Sequence, residues 1–167
     1  MTDKIVFLVK AGRINKISYG HLFRCLQINE KLKEIKKFKQ IFLINKDSKS
    51  HKILRSKKIS FIELNSFKKN QILSKLNEIR AQKIVIDTYD FVDDQFIKSL
   101  KKLNLKVILI DDIPKKNISA DIIYNYSIIS SLKRKYFDYK KLFFGPNYFL
   151  TFKKKKNQPE KNNFLIF

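Results

Sequence analysis

The chain has 167 residues, 44% of them hydrophobic, which is enough for one domain with a sizeable core and too few for two. One cysteine, Cys25, and two histidines, His21 and His51, exclude an internal disulfide and a Cys/His zinc cluster. A net charge of +22 raises nucleic acid as a partner. That partner is not expected here, because arginine, the residue of bidentate base and phosphate contacts, occurs only at Arg13, Arg24, Arg55, Arg80 and Arg134. The lysines are spread over nearly every predicted helix and read as solvated faces. No apolar run approaches the roughly 18 to 20 residues needed to cross a bilayer, and no signal-peptide pattern opens the chain. The expectation is a cytoplasmic protein without membrane contact.

In chain order, Lys4 to Val9 is a short apolar run rich in β-branched residues, the pattern of a strand buried on both faces. A polar loop follows. From Gly20, residues Leu22, Cys25, Leu26, Ile28, Leu32 and Ile35 recur at helical spacing, opposite a lysine-rich side. Gln40 to Ile44 is a second strand, followed by a short helical piece around Lys52 to Arg55. Ile59 to Leu64 is a third strand. Ser66 is placed to cap a helix running to about Arg80, with Phe67, Ile72, Leu73, Leu76 and Ile79 facing inward. Lys83 to Ile86 is a fourth strand ending in Asp87-Thr88-Tyr89-Asp90, and Asp93 and Asp94 open the next helix. Lys106 to Ile110 is a fifth strand ending in Asp111-Asp112. Ala120 to Asn125 offers a sixth strand, Ser130 to Tyr139 a basic aromatic loop or short helix, and Gly145 to Tyr148 a turn. Residues 153–163 have the composition of a linker, and 164–167 read as the start of a second domain, leaving 1–152 as one domain.

Alternating strands and helices predict an α/β fold with a Rossmann-like parallel sheet and right-handed crossovers. Ligands of such sheets bind beyond the carboxyl ends of the strands. The loop before His21, the segment Asp87 to Asp90 and the pair Asp111-Asp112 all follow strands, so they converge on that edge. His21 stands at a strand-to-helix junction, where free backbone N–H groups and the helix dipole attract anions. It reads either as a proton-transfer residue or as a packing residue. Asp87 and Asp111 read either as site residues or as carboxylates that cap helices and bind loop backbone.

The order of these motifs resembles the N-terminal half of the UDP-sugar hydrolases of pseudaminic acid biosynthesis, relatives of spore-coat polysaccharide proteins with a glycosyltransferase-B-like architecture. The resemblance rests on Ile17-Ser18-Tyr19-Gly20-His21-Leu22-Phe23-Arg24, on Asp87-Thr88-Tyr89, on Ile108 to Asp112 and on Gly145-Pro146-Asn147-Tyr148. It implies hydrolysis of a UDP-linked 2,4-diacetamido-2,4,6-trideoxy sugar without metal or other cofactor. His21 and Tyr89 would be the catalytic residues, and Tyr19, Gly20, Arg24 and Asp87 the substrate-binding ones. Imidazole exchanges protons near neutral pH, as activation of water requires. Tyr89 would orient the sugar or the water, or pack beneath the loop. Arg24 would brace the loop, meet a phosphate or pair with an aspartate. The chain departs from the family at Ser18, a glycine there, and at Lys10-Ala11-Gly12, where an Arg-x-Asp is usual.

The resemblance also implies a separate nucleotide-binding C-terminal domain or subunit as a partner, with the UDP-amino sugar shared between the two halves. Two other readings use the same residues. One is the acceptor-binding half of a glycosyltransferase, with His21 deprotonating a sugar hydroxyl. The other is a non-catalytic basic binding module.

Overall fold

A computed structural model of the protein describes residues 3–12, 18–35, 38–88, 90–112, 118–127 and 141–148. The apolar runs of the sequence become strands β1 (Asp3–Val9), β2 (Phe38–Asn45), β3 (Phe61–Leu64), β4 (Lys83–Asp87), β5 (Lys106–Ile110), β6 (Ile122–Asn125) and β7 (Leu142–Phe144). Helices α1 (Gly20–Ile35), α2 (Ser48–Ser56), α3 (Lys69–Ile79) and α4 (Asp94–Lys102) connect the first five. All neighbouring strands pair in parallel, in the order β3-β2-β1-β4-β5-β6-β7. This is an α/β, Rossmann-like sheet. The chain winds outward from β1 through β2 to β3, then crosses back to β4 on the other side of β1, so the winding reverses between β1 and β4.

The continuous hydrophobic character of β1 has a direct cause. Ile5, Phe7 and Val9 lie in one core with Leu22, Cys25 and Leu26 of α1 and Leu54 of α2. Val6 and Leu8, on the other face, meet Ile72 and Leu76 of α3 and Phe96, Ile97 and Leu100 of α4. Both faces are covered from Ile5 to Val9, so polar residues stand only at the start of the strand, at Asp3 and Lys4. Phe7 stacks on Phe42 of β2 with ring centroids 4.6 Å apart, filling the space beneath α1 and α2.

Helix ends depart from the sequence reading where capping decides them. Ser66 does not cap α3; its N–H donates to Gln71 Oε1 at 2.7 Å, and the helix starts at Lys69 after an extended Lys68 that has no side-chain cap. The Ser66 hydroxyl also donates to Gln71 Oε1, so Ser66 meets the first turn through that side chain, which ties down the approach to the helix. Helix α2 is longer than the piece expected at Lys52 to Arg55, because Asp47 accepts the N–H of Ser50 at 2.8 Å and starts the helix at Ser48. Asp93 does the same for α4, accepting the N–H of Phe96. The segment Leu142 to Phe144, ahead of the expected turn, is a seventh strand beside β6, followed by a short 3-10 turn at Pro146–Tyr148. The basic stretch 130–139, the linker 153–163 and residues 164–167 lie outside the described residues.

Many lysines of α1, α3 and α4 pair with a nearby carboxylate, as in Lys33–Glu30, Lys69–Asp93 and Lys98–Asp94. Among the described residues no helix is long and apolar enough to cross a membrane.

One core position carries a cost. Asn29 of α1 is fully buried, and neither polar atom of its side chain has a hydrogen-bond partner among the described residues. A buried, unpaired amide costs about 1–3 kcal/mol, so Asn29→Leu, of the same branched shape, is expected to stabilise the fold by up to an amount of that order. Urea unfolding reads this as a higher midpoint at unchanged slope. An unchanged or lower midpoint would show that the amide is already satisfied in solution.

Candidate functional site

Because every strand is parallel, the carboxyl ends of β1, β4, β5 and β6 open on one edge of the sheet, together with the start of α1. His21 is the second residue of α1 and Arg24 lies one turn later, so both side chains project from the same face. That face meets Asp87, the last residue of β4, at the point where the winding reverses.

Asp87 is 1% exposed and is held from two sides. Arg24 grips it as a fork, Nε to Oδ2 at 2.9 Å and Nη2 to Oδ1 at 2.6 Å. His21 Nδ1 lies 2.5 Å from the same Oδ1. Arg24 Nη2 is also 2.6 Å from His21 Nδ1. Both groups cannot donate to each other, and the carboxylate decides between them. A proton on Nδ1 can be given to Asp87, whereas a lone pair there would face a carboxylate oxygen. The Nδ1–H tautomer therefore fits, and it places the ring's lone pair on Nε2.

The remaining Arg24 nitrogen, Nη1, donates to Asp112 Oδ2 at 2.5 Å and to the Tyr126 hydroxyl, with the guanidinium carbon 5.3 Å from the Tyr126 ring centre. Burial by itself lowers the pKa of Arg24, but the carboxylates of Asp87 and Asp112 outweigh it, and the guanidinium is held protonated beyond its ordinary value. Burial, followed by the charge of Asp87, pushes the adjacent Cys25 thiol well up, so this cysteine behaves as an inert core residue.

Asp87 is thus not a helix cap but the shared anion of an arginine and a histidine. Arg24 pairs with aspartates, the last of its three possible roles. His21 stands at the expected edge but not in the open: it is 4% exposed, so a reacting group reaches it only from the rim. Tyr19, half-buried, donates its hydroxyl to Asp47 at 3.3 Å and carries the Lys49 ammonium over its ring. Gly20 is exposed at the rim, and its N–H donates to Ser18 Oγ at 3.2 Å. Ser18 therefore takes up one of the helix's leading donors. Tyr89 lies outside the described residues.

Lys10 does not leave its position empty either. Its ammonium pairs with Asp90, joining the loop after β1 to the loop after β4. Gly12, at φ +121°, lies against Asp47, where a Cβ would come within 2.7 Å of a carboxylate oxygen; glycine is required there on both counts. Asp112, read from sequence as half of a pair at this edge but given no role, belongs to the cluster, as does Tyr126, which the sequence reading did not single out. The available signal was positional: each follows the end of a strand, one after β5 and the other just after β6.

No family model matches the chain. The uncharacterized protein MJ1062 of Methanocaldococcus jannaschii is 29% identical over 168 aligned positions, which take in 91% of this chain. The chain spans 34% of that relative's length. Among solved structures, MurG of Acinetobacter baumannii superposes with a TM-score of 0.55 at 9% identity, covering 74% of this chain and 41% of MurG. RSP, a Rex-family repressor, gives a TM-score of 0.43 at 11% identity, too low to carry an argument. The fold shared with MurG is an α/β, Rossmann-like one.

Proposed function

We propose that this chain is the acceptor-side half of a glycosyltransferase-B-like enzyme acting on a nucleotide sugar, with His21 as general base and Asp87 as its orienting carboxylate. The observation that carries the reading is the His21 Nδ1–Asp87 contact of 2.5 Å at the carboxyl edge where the winding reverses. A carboxylate bound to Nδ1 fixes the tautomer and sits where positive charge develops on the ring as Nε2 takes up a proton.

The electrostatics of the edge favour the acceptor side over the nucleotide side. Among the described residues Asp47, Asp87, Asp90 and Asp112 lie there; Lys10 and Arg24 are paired with three of them, and Lys49 lies over the Tyr19 ring. The chain has three glycines, and the one in the first loop is packed against Asp47. A diphosphate would meet carboxylates instead of the glycine-rich amides that usually cradle it. A neutral, hydroxyl-rich sugar suits such a surface, since carboxylates accept hydrogen bonds from hydroxyls. The fold shared with MurG, a glycosyltransferase, supports the broader part of this reading, a glycosyltransferase-like half.

Hydrolysis of a UDP-linked diacetamido sugar is the second reading, supported by the Gly20-His21-Leu22-Phe23-Arg24 segment and the order of the other motifs. Both readings need a nucleotide-binding domain or subunit beyond the described residues, and one assay separates them. The chain would be combined with a candidate nucleotide-binding domain, and UDP release from the sugar nucleotide followed with and without sugar acceptors. Transfer predicts release that requires the acceptor. Release at the same rate without acceptor would replace transfer by hydrolysis, and absence of release from a folded complex would remove both.

A further inference from the structure

The cluster around Arg24 extends past the pair that the proposed reaction uses, and the extension is built from the ends of two further strands. Asp112 follows β5 and Tyr126 follows β6. They receive Nη1 of Arg24, while Nε and Nη2 are spent on Asp87. The two segments are joined to each other. The side chain of Asn125, fully buried, donates to the Asp111 carbonyl at 2.5 Å and accepts the N–H of Ser127 at 2.8 Å, so the residues flanking Asp112 and Tyr126 share one bridge. The ring of Tyr124 packs against Tyr126 and Tyr148 at 6.3 and 6.1 Å between centroids, and Gly145 N–H donates to the Asn125 carbonyl at 2.9 Å. The Gly145 to Tyr148 turn therefore supports the loop that carries Tyr126.

From this arrangement we infer that Asp112 and Tyr126 are positioning residues for His21, acting through Arg24 and Asp87. A guanidinium is a rigid plane, so fixing Nη1 on one side fixes where Nε and Nη2 stand on the other. Those two nitrogens fix the Asp87 carboxylate, and the carboxylate fixes the rotation of the His21 ring. Without the outer pair Arg24 would still be drawn to Asp87, but its plane could turn about that contact. Asp87 Oδ1 would then drift relative to Nδ1. Neither Asp112 nor Tyr126 needs to touch the substrate for this.

The inference builds on His21 being the base, so its test has a readout that does not require turnover. In the wild-type protein the Nδ1–H proton held by Asp87 should give a downfield imidazole resonance. Tyr126→Phe keeps the ring over Arg24 and removes only the hydroxyl; Asp112→Asn keeps the shape and removes the charge. Both should shift or broaden that resonance, and Asp3→Asn, at the opposite edge of the sheet, should leave it in place. In the complete enzyme the same two variants should lower kcat by ~10- to 100-fold with little change in KM, the signature of a reacting group out of line. An unmoved resonance and an unchanged kcat in both variants would overturn the inference. A shifted resonance with no turnover even in wild type would leave the positioning role standing and remove the catalytic reading on which the kinetic arm depends. Should Asp112→Asn fail to fold, Tyr126→Phe decides by itself.

Discussion

Arg24→Ala should be among the most destabilising single substitutions in the described part of the chain, costing about 3–5 kcal/mol, the scale for leaving one partner of a buried ion pair uncompensated. Asp87 is 1% exposed and has its fork of hydrogen bonds from Arg24, so in the variant a carboxylate remains in the interior with His21 and the Cys25 thiol, among the described side chains, beside it. Against a total stability of about 5–15 kcal/mol this is a large fraction. For a chain of this size it corresponds to a melting temperature lower by very roughly 6–20 °C. Arg24→Lys should fall between wild type and Arg24→Ala, because an ammonium keeps the charge but cannot hold Asp87 with two nitrogens and Asp112 with a third. The double variant Arg24→Ala/Asp87→Asn should recover part of the loss, since the stranded charge goes with its partner; a double-mutant cycle followed by thermal melting gives the coupling. Additive losses would mean that the two residues do not support each other, and the site as described would be wrong.

His21→Asn should lower turnover of the complete enzyme by ~10²- to 10⁴-fold, the usual worth of a general base, while leaving the melting temperature nearly unchanged. The two effects separate for a geometric reason. The amide nitrogen of asparagine can stand close to where Nδ1 stands and still donate to Asp87, but nothing replaces Nε2. His21→Ala removes both, and should add a stability loss of about 1–3 kcal/mol from the donor that buried Asp87 no longer has. Undiminished UDP release by His21→Asn, measured beside wild type in the same complex, would take the imidazole out of the chemistry.

The strands that build the sheet could be read from residue pattern because both faces are buried. The run from Ile5 to Val9 contains no residue that could face water, and the structure places a helical layer on each side of it. Helix starts were less legible. Asp93 announces α4 as a cap should, but Ser66 does not start α3, because a capping side chain works only if the backbone brings it to the first turn. The segment Leu142 to Phe144 carries no period long enough to declare a strand, and pairing with β6 makes it one.

The site divides along the same line. That His21, Asp87 and Asp112 share one edge follows from the sequence alone, since parallel crossovers bring every strand's carboxyl end to the same side. What each does there was open, and contacts between residues more than sixty positions apart settled the geometry. Arg24 could equally have met a phosphate until its three nitrogens were seen on Asp87, Asp112 and Tyr126. Lys10 looked like a lost guanidinium until it was found paired with Asp90. The sequence determined the fold class and the edge on which chemistry gathers, because those depend on local periodicity and chirality. Only the tertiary structure decided which charges neutralise one another, because an ion pair depends on distances that no local pattern encodes.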